Sequence, residues 1–348
     1  MADSIRTALL SFGMSGSVFH APFISTSERF QLYGVWEREK NLAQQKYPDI
    51  ITFRTLSELL DDPLVELVVV NTPNSTHFEY TRECLKAGKH VIVEKPFTIT
   101  VTESRELIQL AAQKKLVLSI YHNRRYDSDF KTVKKIMESS KLGDIVEVEF
   151  HFDRFKEGLS AKVHKEIPNP GSGALYDLGA HLIDQVVFLL GMPQAIFADI
   201  RIIRPVSQVD DYFELLFYYK NKRARLHCSY LVKEPLHAFI VHGSKGSFVK
   251  HRGDPQENDL QARILPGTNR WGMEPETEHG VLHIDEKGNS IRELIPTEAG
   301  NYGEYYEQIY HAIRNGGPIP VSGEDGEKVI RIIESAMQSS RERRVIDL

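Results

Sequence analysis

The chain has 348 residues, 41% of them hydrophobic and 26% charged, with a net charge of −5. That length and apolar content favour two domains with sizeable cores. The charges are interspersed, so no basic stripe offers itself to nucleic acid and no polybasic run to a membrane surface. The two cysteines, Cys84 and Cys228, are too few for a disulfide framework. With no signal-peptide core and no membrane-length apolar stretch, a cytoplasmic protein is expected.

Residues 5–12 read as a short buried strand, followed by Ser11-Phe12-Gly13-Met14-Ser15-Gly16 and the start of a helix. Strand-like runs recur at 31–37, 66–71, 90–94 and 116–121, with helical patterns at 39–46, 77–87 and 102–115 between them. Apolar strands alternating with helices predict a parallel sheet covered on both faces. The run Leu67-Val68-Val69-Val70 is the clearest of them.

A dinucleotide site wants Gly-x-Gly-x-x-Gly between a first strand and its helix, so that backbone amides approach the pyrophosphate. Here Ser11 holds the first position, with Gly13 and Gly16 in the other two. Two glycines alone are a weak signal; their place after the first strand of an α/β pattern strengthens it. Glu37, at the end of the second strand, is the acidic residue expected about 20 positions on, where a carboxylate binds the adenosine ribose. Arg38 beside it suits a 2′-phosphate instead. The plain alternative is that both are solvated strand-end residues.

Asn71-Thr72-Pro73-Asn74 and Glu94-Lys95-Pro96 each close a strand, where ligands lie in a doubly wound sheet. Taken singly, the first is a common turn and the second a surface lysine before proline. As a chemical group, the Lys95 ammonium hydrogen-bonds a substrate hydroxyl and stabilises alkoxide character. Tyr121-His122-Asn123-Arg124-Arg125-Tyr126-Asp127 marks the handover between domains, lining a cleft or forming a hydrogen-bonded seam.

From about residue 122 the texture changes. A helix near 129–140 precedes 145–152, where Val146, Val148, Phe150 and Phe152 alternate with Glu147, Glu149 and His151. That is a period-two strand with one wet face. More strands are predicted at 195–204, 212–219, 224–231 and 238–242, with a hairpin turn at 243–246 leading into 247–250. Helices are predicted near 302–314 and 324–341. The polar stretch 251–280 is long for a loop, which marks it as functional or mobile. Between these elements, a helix opens as Gly173-Ala174-Leu175-Tyr176-Asp177-Leu178-Gly179-Ala180-His181. Asp177 and His181, four apart, share a helical face. They admit three readings: a general base with its neighbour, two metal ligands, or a buried structural pair. No third ligand stands at a diagnostic spacing, so no metal is expected.

Taken in order, Ser-Phe-Gly-Met-Ser-Gly, Asn-Thr-Pro-Asn, Glu-Lys-Pro, His-Asn-Arg-Arg and Tyr-Asp-Leu-Gly-Ala-His resemble the Gfo/Idh/MocA oxidoreductases over essentially the whole chain. Segments 17–23 and 123–127 are similar to the branch with NADP-dependent scyllo-inositol dehydrogenases and uncharacterised bacterial oxidoreductases. The resemblance implies an α/β protein. A Rossmann domain over 1–121 would precede an α/β domain with a large open, mainly antiparallel sheet over 122–348. It implies a homodimer or larger homo-oligomer, pairing through that sheet.

By motif, Lys95 would be the catalytic lysine, His181 the base and Asp177 its partner. Gly13, Met14, Ser15, Gly16, Glu37, Arg38, Thr72, Pro73, Asn74, His77, Glu94, Lys95 and Asn123 would line NAD or NADP. Ser11 replaces the family's first glycine, which alters the pyrophosphate turn, and Glu37 stands where NADP-using relatives of this branch often carry a small or basic residue, which leaves the choice of cofactor open. The implied reaction is reversible hydride transfer between nicotinamide and a secondary alcohol of a sugar or polyol, in a cleft between the domains. Substrate recognition would fall to loops 154–172 and 251–280. A glycosidase using held NAD and a non-catalytic dinucleotide-binding regulator are the rivals.

Overall fold

The structure is a computed structural model that describes residues 4–160, 166–286 and 288–348. Two units are distinguished by their internal contacts. The first comprises Met1–Asn123, Gln256–Trp271 and Tyr302–Glu327; the second Arg124–Pro255, Gly272–Asn301 and Lys328–Leu348.

The first unit holds strands β1 (Ile5–Leu9), β2 (Phe30–Trp36), β3 (Ile51–Phe53), β4 (Leu67–Val70), β5 (His90–Glu94) and β6 (Leu118–Tyr121). They form one parallel sheet in the order β3-β2-β1-β4-β5-β6. This is the doubly wound order, whose switch point lies between β1 and β4 at their carboxyl ends. Its central strands are apolar throughout: Val68, Val69, Val70, Val91, Ile92 and Val93 are fully buried. Helices His77–Lys86 and Val101–Lys114 are among those between the strands. Thr100 accepts from the Glu103 amide and Glu103 answers from its side chain, which starts the second of these helices sharply. Helix Gly303–Asn315 returns to this unit, stacking Tyr306 on Phe23 and setting Tyr305 edge-on to Tyr121.

The second unit holds β7 (Ile145–His151), β8 (Ala195–Arg201), β9 (Tyr212–Tyr218), β10 (Arg223–Ser229), β11 (Phe239–Gly243) and β12 (Gly246–Lys250). It continues with β13 (Gly280–Glu286), β14 (Asn289–Ile295) and β15 (Ile346–Asp347). They form a nine-stranded sheet in the order β14-β13-β12-β11-β7-β10-β9-β8-β15. Among the described residues β7 and β10 pair in parallel and every other pair is antiparallel. One face is apolar and buried, with Val148, Phe150, Phe213, Leu226 and Phe239 among its residues. The opposite face carries Glu147, Glu149, Arg225, His227 and Glu214, as the period-two pattern requires.

Three expectations change. The stretch 251–280 is not one long loop: it contains a helix at Gln256–Gln261, and the chain goes on into β13 and β14. Strand β14 has six exposed residues and one half-buried one, so it shows no alternation to read. The helix after Gly173 begins with a π-helical turn, Leu175–Gly179, and becomes α-helical only over Ala180–Leu190. The first strand ends at Leu9, and Ser11 and Phe12 belong to the turn that follows. No helix among the described residues is long and apolar enough to cross a membrane.

Candidate functional site

Beyond β1 the chain turns through Ser11–Met14 into the π-helical segment Ser15–His20 and the helix Ala21–Thr26. The Ser11 hydroxyl accepts from the Gly13 amide at 3.2 Å, so the residue standing in for the first glycine closes the turn itself. Gly16 is a glycine of necessity. A Cβ there would lie 2.2 Å from the Ser11 carbonyl and 2.8 Å from the Asn71 amide nitrogen. Gly13 is exposed, and a Cβ on it would meet only the Ser11 hydroxyl at 3.5 Å. One glycine therefore lets the turn press onto the end of β4, and the other leaves an open side where a phosphate can approach. Asn71 completes this corner: its amide donates to the Ser11 carbonyl at 2.8 Å. Its Oδ1 is buried with no hydrogen-bond partner among the described residues. An open glycine, helix-start amides at Met14, Ser15 and Gly16, and an unmatched acceptor fit a dinucleotide.

At the end of β2 the Glu37 carboxylate turns inward. It accepts from the Leu42 amide at 3.2 Å and the Ala43 amide at 2.9 Å, capping helix Leu42–Lys46. Arg38 is exposed. Arg54 donates to the Glu37 and Lys40 carbonyls, both at 2.8 Å, and to the Asn41 side chain, so it braces the loop that carries Arg38.

After β4, Pro73 opens a short 3-10 turn over Asn74–Thr76, and the Thr72 and Thr76 hydroxyls bond at 2.7 Å. Thr72 and Asn74 are half-buried and Pro73 is exposed. His77 is fully buried, with one ring nitrogen 2.8 Å from the Pro96 carbonyl and the other 3.0 Å from the Thr72 carbonyl. Burial pushes this imidazole down, while the two carbonyls, which only accept, pull it up; a neutral ring donates to one of them, and the ring packs between the ends of β4 and β5. Asn123, just past β6, is 7% exposed.

Glu94, the last residue of β5, anchors a network within the first unit. Its Oε1 accepts from the Ser15 hydroxyl and from His20 Nε2 at 3.1 Å, and its Oε2 from the Lys95 amide at 3.2 Å. A carboxylate only accepts, so His20 carries its proton on Nε2 and takes the Tyr306 hydroxyl at Nδ1, 2.6 Å away. Burial alone would raise the Glu94 carboxyl; His20, Ser15 and the Lys95 charge outweigh it and hold it at about 2. Lys95 itself is half-buried, and its peptide bond to Pro96 is cis. Sequence reasoning assigns no site role to His20 or Tyr306, and names Ser11 and Asn71 only as members of their motifs. The one signal for His20 is its place in segment 17–23.

In the second unit Asp177 lies in the π-helical turn and is half-buried; His181 follows in the α-helix at 6% exposure. Gly173, at φ +94°, precedes them, and the Asp210 carboxylate fills the place a Cβ would take. Asp210 receives the Leu175 amide on its side chain at 2.7 Å and the Ala174 amide on its carbonyl at 2.8 Å. Burial raises its carboxyl to about 6. Burial also raises the Tyr230 hydroxyl, and the Asp177 charge adds to that, so the two side chains are within electrostatic reach. The Arg154 guanidinium lies 5.9 Å from the Tyr230 ring. Arg125 is engaged with Asp184 through two bonds, 2.9 and 2.7 Å, and Asp127 is fully buried with its carboxyl raised. Of the loop 154–172, residues 161–165 lie outside the described residues.

Two family models match the chain. That of the oxidoreductase family NAD-binding Rossmann fold covers residues 5–122, and that of the oxidoreductase family C-terminal alpha/beta domain, Gfo/Idh/MocA, covers 134–348. The scyllo-inositol 2-dehydrogenase (NADP(+)) IolW of Bacillus subtilis (strain 168) is 38% identical over 346 residues, 99% of this chain and 96% of that protein. The uncharacterized oxidoreductase YdgJ of Escherichia coli (strain K12) is 36% identical over the full length of both. The crystal structure of an oxidoreductase from Bacillus cereus, 34% identical, superposes with a TM-score of 0.92 over 99% of each chain.

Proposed function

The chain belongs to the Gfo/Idh/MocA oxidoreductase family, and on that footing we propose that it oxidises a ring secondary alcohol of an inositol-like polyol or sugar. The observation that carries this reading is the link from Ser15 to Glu94. It ties the glycine turn of a nicotinamide dinucleotide site to the residue that precedes Lys95. The bound nicotinamide supplies the hydride acceptor in oxidation and the hydride donor in the reverse direction.

The chain's own residues supply the rest. Lys95 donates to the reacting hydroxyl and stabilises its developing negative charge. His181 takes the hydroxyl proton as the C–H bond breaks and returns it in reduction. Asp177 orients the imidazole or a neighbouring hydroxyl. Gly13, Met14, Ser15 and Gly16 hold the pyrophosphate, Thr72, Asn74 and Asn123 line the cofactor, and His77 and Pro73 fix the loops that carry them.

Arg38 offers a cation to a 2′-phosphate, and the inward turn of Glu37 lowers the repulsion such a phosphate meets. We therefore read the enzyme as using both NAD and NADP. A panel of inositols, other polyols and aldoses, assayed for reduced-nicotinamide absorbance with each cofactor, tests the reading. Turnover of a cyclic polyol supports it. Release of sugar from a glycoside with no net change in reduced nicotinamide would replace it with the glycosidase reading.

A further inference from the structure

The polar face of the nine-stranded sheet carries a donor set that the proposed reaction does not use. His151 ends β7 and stands directly opposite His227 of β10 in the parallel register, and Asp153 follows two residues beyond His151. The parallel pairing therefore sets two imidazoles and a carboxylate side by side, although His227 is 74 residues from Asp153 in sequence. Among the described residues they form a group whose ligand atoms all lie within 4.8 Å of one another.

We propose that His151, Asp153 and His227 bind a borderline divalent metal ion of the zinc type, one per chain, that ties β7 to β10. Four features support the site. His227 Nδ1 lies 2.9 Å from Asp153 Oδ1, and His151 Nδ1 lies 3.4 Å from Asp153 Oδ2. Ligands at about 2.0–2.1 Å in a tetrahedral shell stand roughly 3.3 Å apart, between those two separations. Each imidazole thus stands near coordination spacing from one oxygen of Asp153, and the three ligand atoms lie within 4.8 Å of one another.

The second feature is the state of His151. Its side chain is 93% buried by accessible surface, being 7% exposed, and its Nδ1 has no well-formed hydrogen bond among the described residues despite facing Asp153. That nitrogen faces the Asp153 carboxylate at 3.4 Å, near enough for attraction but too far for a good hydrogen bond, and an ion between the two would satisfy both.

The third is the outer shell. The other nitrogen of His151, Nε2, donates to Glu149 Oε2 at 3.4 Å, and Glu149 is held by Arg225 at 2.8 Å. The carboxylate fixes the tautomer that leaves Nδ1 as the ligand, the arrangement that orients metal-binding histidines. On the other side, the Ser229 amide donates to Asp153 Oδ1 at 2.9 Å and holds that carboxylate in place.

The fourth is charge. Asp153 brings a negative charge to the donor set itself, which favours a dication there; around it Glu149 and Glu214 face Arg225, and Arg252 donates to the His151 carbonyl. Two imidazoles with one carboxylate select zinc, cobalt or nickel over magnesium or calcium, which prefer all-oxygen shells. His227 is 20% exposed at its side chain, which gives an ion a way in.

Binding displaces the proton on His227 Nδ1 and any proton on His151 Nδ1. Protons therefore compete with the ion, and affinity rises with pH.

The test uses the full chain, free of any histidine tag and stripped by chelator. Calorimetric titration with zinc chloride should give one equivalent per chain, and cobalt chloride should give a visible d–d spectrum of a nitrogen–oxygen site. Excess magnesium should not compete. His227→Ala and Asp153→Asn should each lose the binding and the cobalt spectrum while keeping the wild-type circular dichroism. If His227→Ala does not fold, His227→Gln takes its place. Glu149→Gln, which touches only the outer shell, should weaken binding by about 10–100-fold. Absence of stoichiometric binding overturns the proposal and leaves the cluster as a proton-sharing seam. Binding that persists in both ligand variants overturns it too, because the ion then sits on other histidines.

Discussion

The inward turn of Glu37 gives the sharpest test of cofactor recognition. At this place a carboxylate binds the adenosine ribose and disfavours a 2′-phosphate. Here both its oxygens accept backbone amides at the start of helix Leu42–Lys46, and the residue is 8% exposed. Glu37→Ala removes a cap, at a cost of about 0.5–2 kcal/mol. At roughly 2–4 °C per kcal/mol for a domain of this size, the melting temperature should fall by about 1–8 °C. The loop carrying Arg38 should loosen with it, since the carboxylate ties the strand end to the Leu42 and Ala43 amides across that loop; the Arg54 bond to the Glu37 backbone carbonyl remains. KM should then rise for NAD and NADP together, by similar factors. Scanning calorimetry with steady-state kinetics for both cofactors checks this. An unchanged melting temperature with a KM increase for NAD alone would refute it. The carboxylate would then leave the cap for the ribose when cofactor binds. Glu37→Ser separates the cases further, because a ribose-facing Glu37 predicts a lower KM for NADP and a higher one for NAD.

Gly13→Val should abolish dinucleotide binding in calorimetric titration while the protein still folds, since a Cβ there meets only the Ser11 hydroxyl, at an ordinary 3.5 Å. Unchanged affinity would remove the glycine turn from the cofactor site. Lys95→Ala should lose about 10²–10³-fold in kcat and His181→Ala about 10²–10⁴-fold, with cofactor affinity retained in both. Near-normal turnover in either, on a substrate found by the panel, ends its catalytic assignment. Asp210 is raised to about 6 against an ordinary value of 3.8, so the folded state binds its proton more tightly. Its contribution to stability is full below about pH 4 and is lost as pH rises through 6. Asp210→Asn should flatten that part of the pH–stability profile measured by denaturant unfolding; an unaltered profile would show that Asp210 does not cause it.

The first unit is readable in the sequence because parallel strands buried on both faces are apolar without interruption. Valine-rich runs need no partner to be recognised: Leu67–Val70 and His90–Glu94 stand out from composition alone. Strand β3 escapes such reading, since three residues carry no period. In the second unit, alternation reveals β7 because one of its faces is wet. It fails for β14 because nearly all of β14 is. The π-helical start at Leu175–Gly179 is hidden for another reason. Its side chains satisfy a helical pattern, and the carboxylate beside Gly173 at its start comes from Asp210, 37 residues away in sequence.

Motifs locate the strand ends but not the contacts that give them their chemistry. Glu94 is legible from the three residues of its motif, whereas its behaviour depends on Ser15, His20 and, through His20, Tyr306. Tyr306 lies 286 residues from His20 and comes back on a helix that belongs to the first unit. With the tyrosine hydroxyl donating to Nδ1, His20 is fixed in the tautomer that donates to Glu94 from Nε2. Glu94 stays ionised down to about pH 2, so the charge beside Lys95 does not change over the range in which an enzyme works. The proton traffic of the reaction must then pass through another group. That agrees with the base proposed at His181 and with the charge-stabilising part proposed for Lys95. Glu94→Gln keeps the shape but removes that charge. It should disturb kcat through Lys95 without shifting the acidic limb of the pH–rate profile, the limb that the proposed base His181 would govern; a shifted limb would count against that assignment.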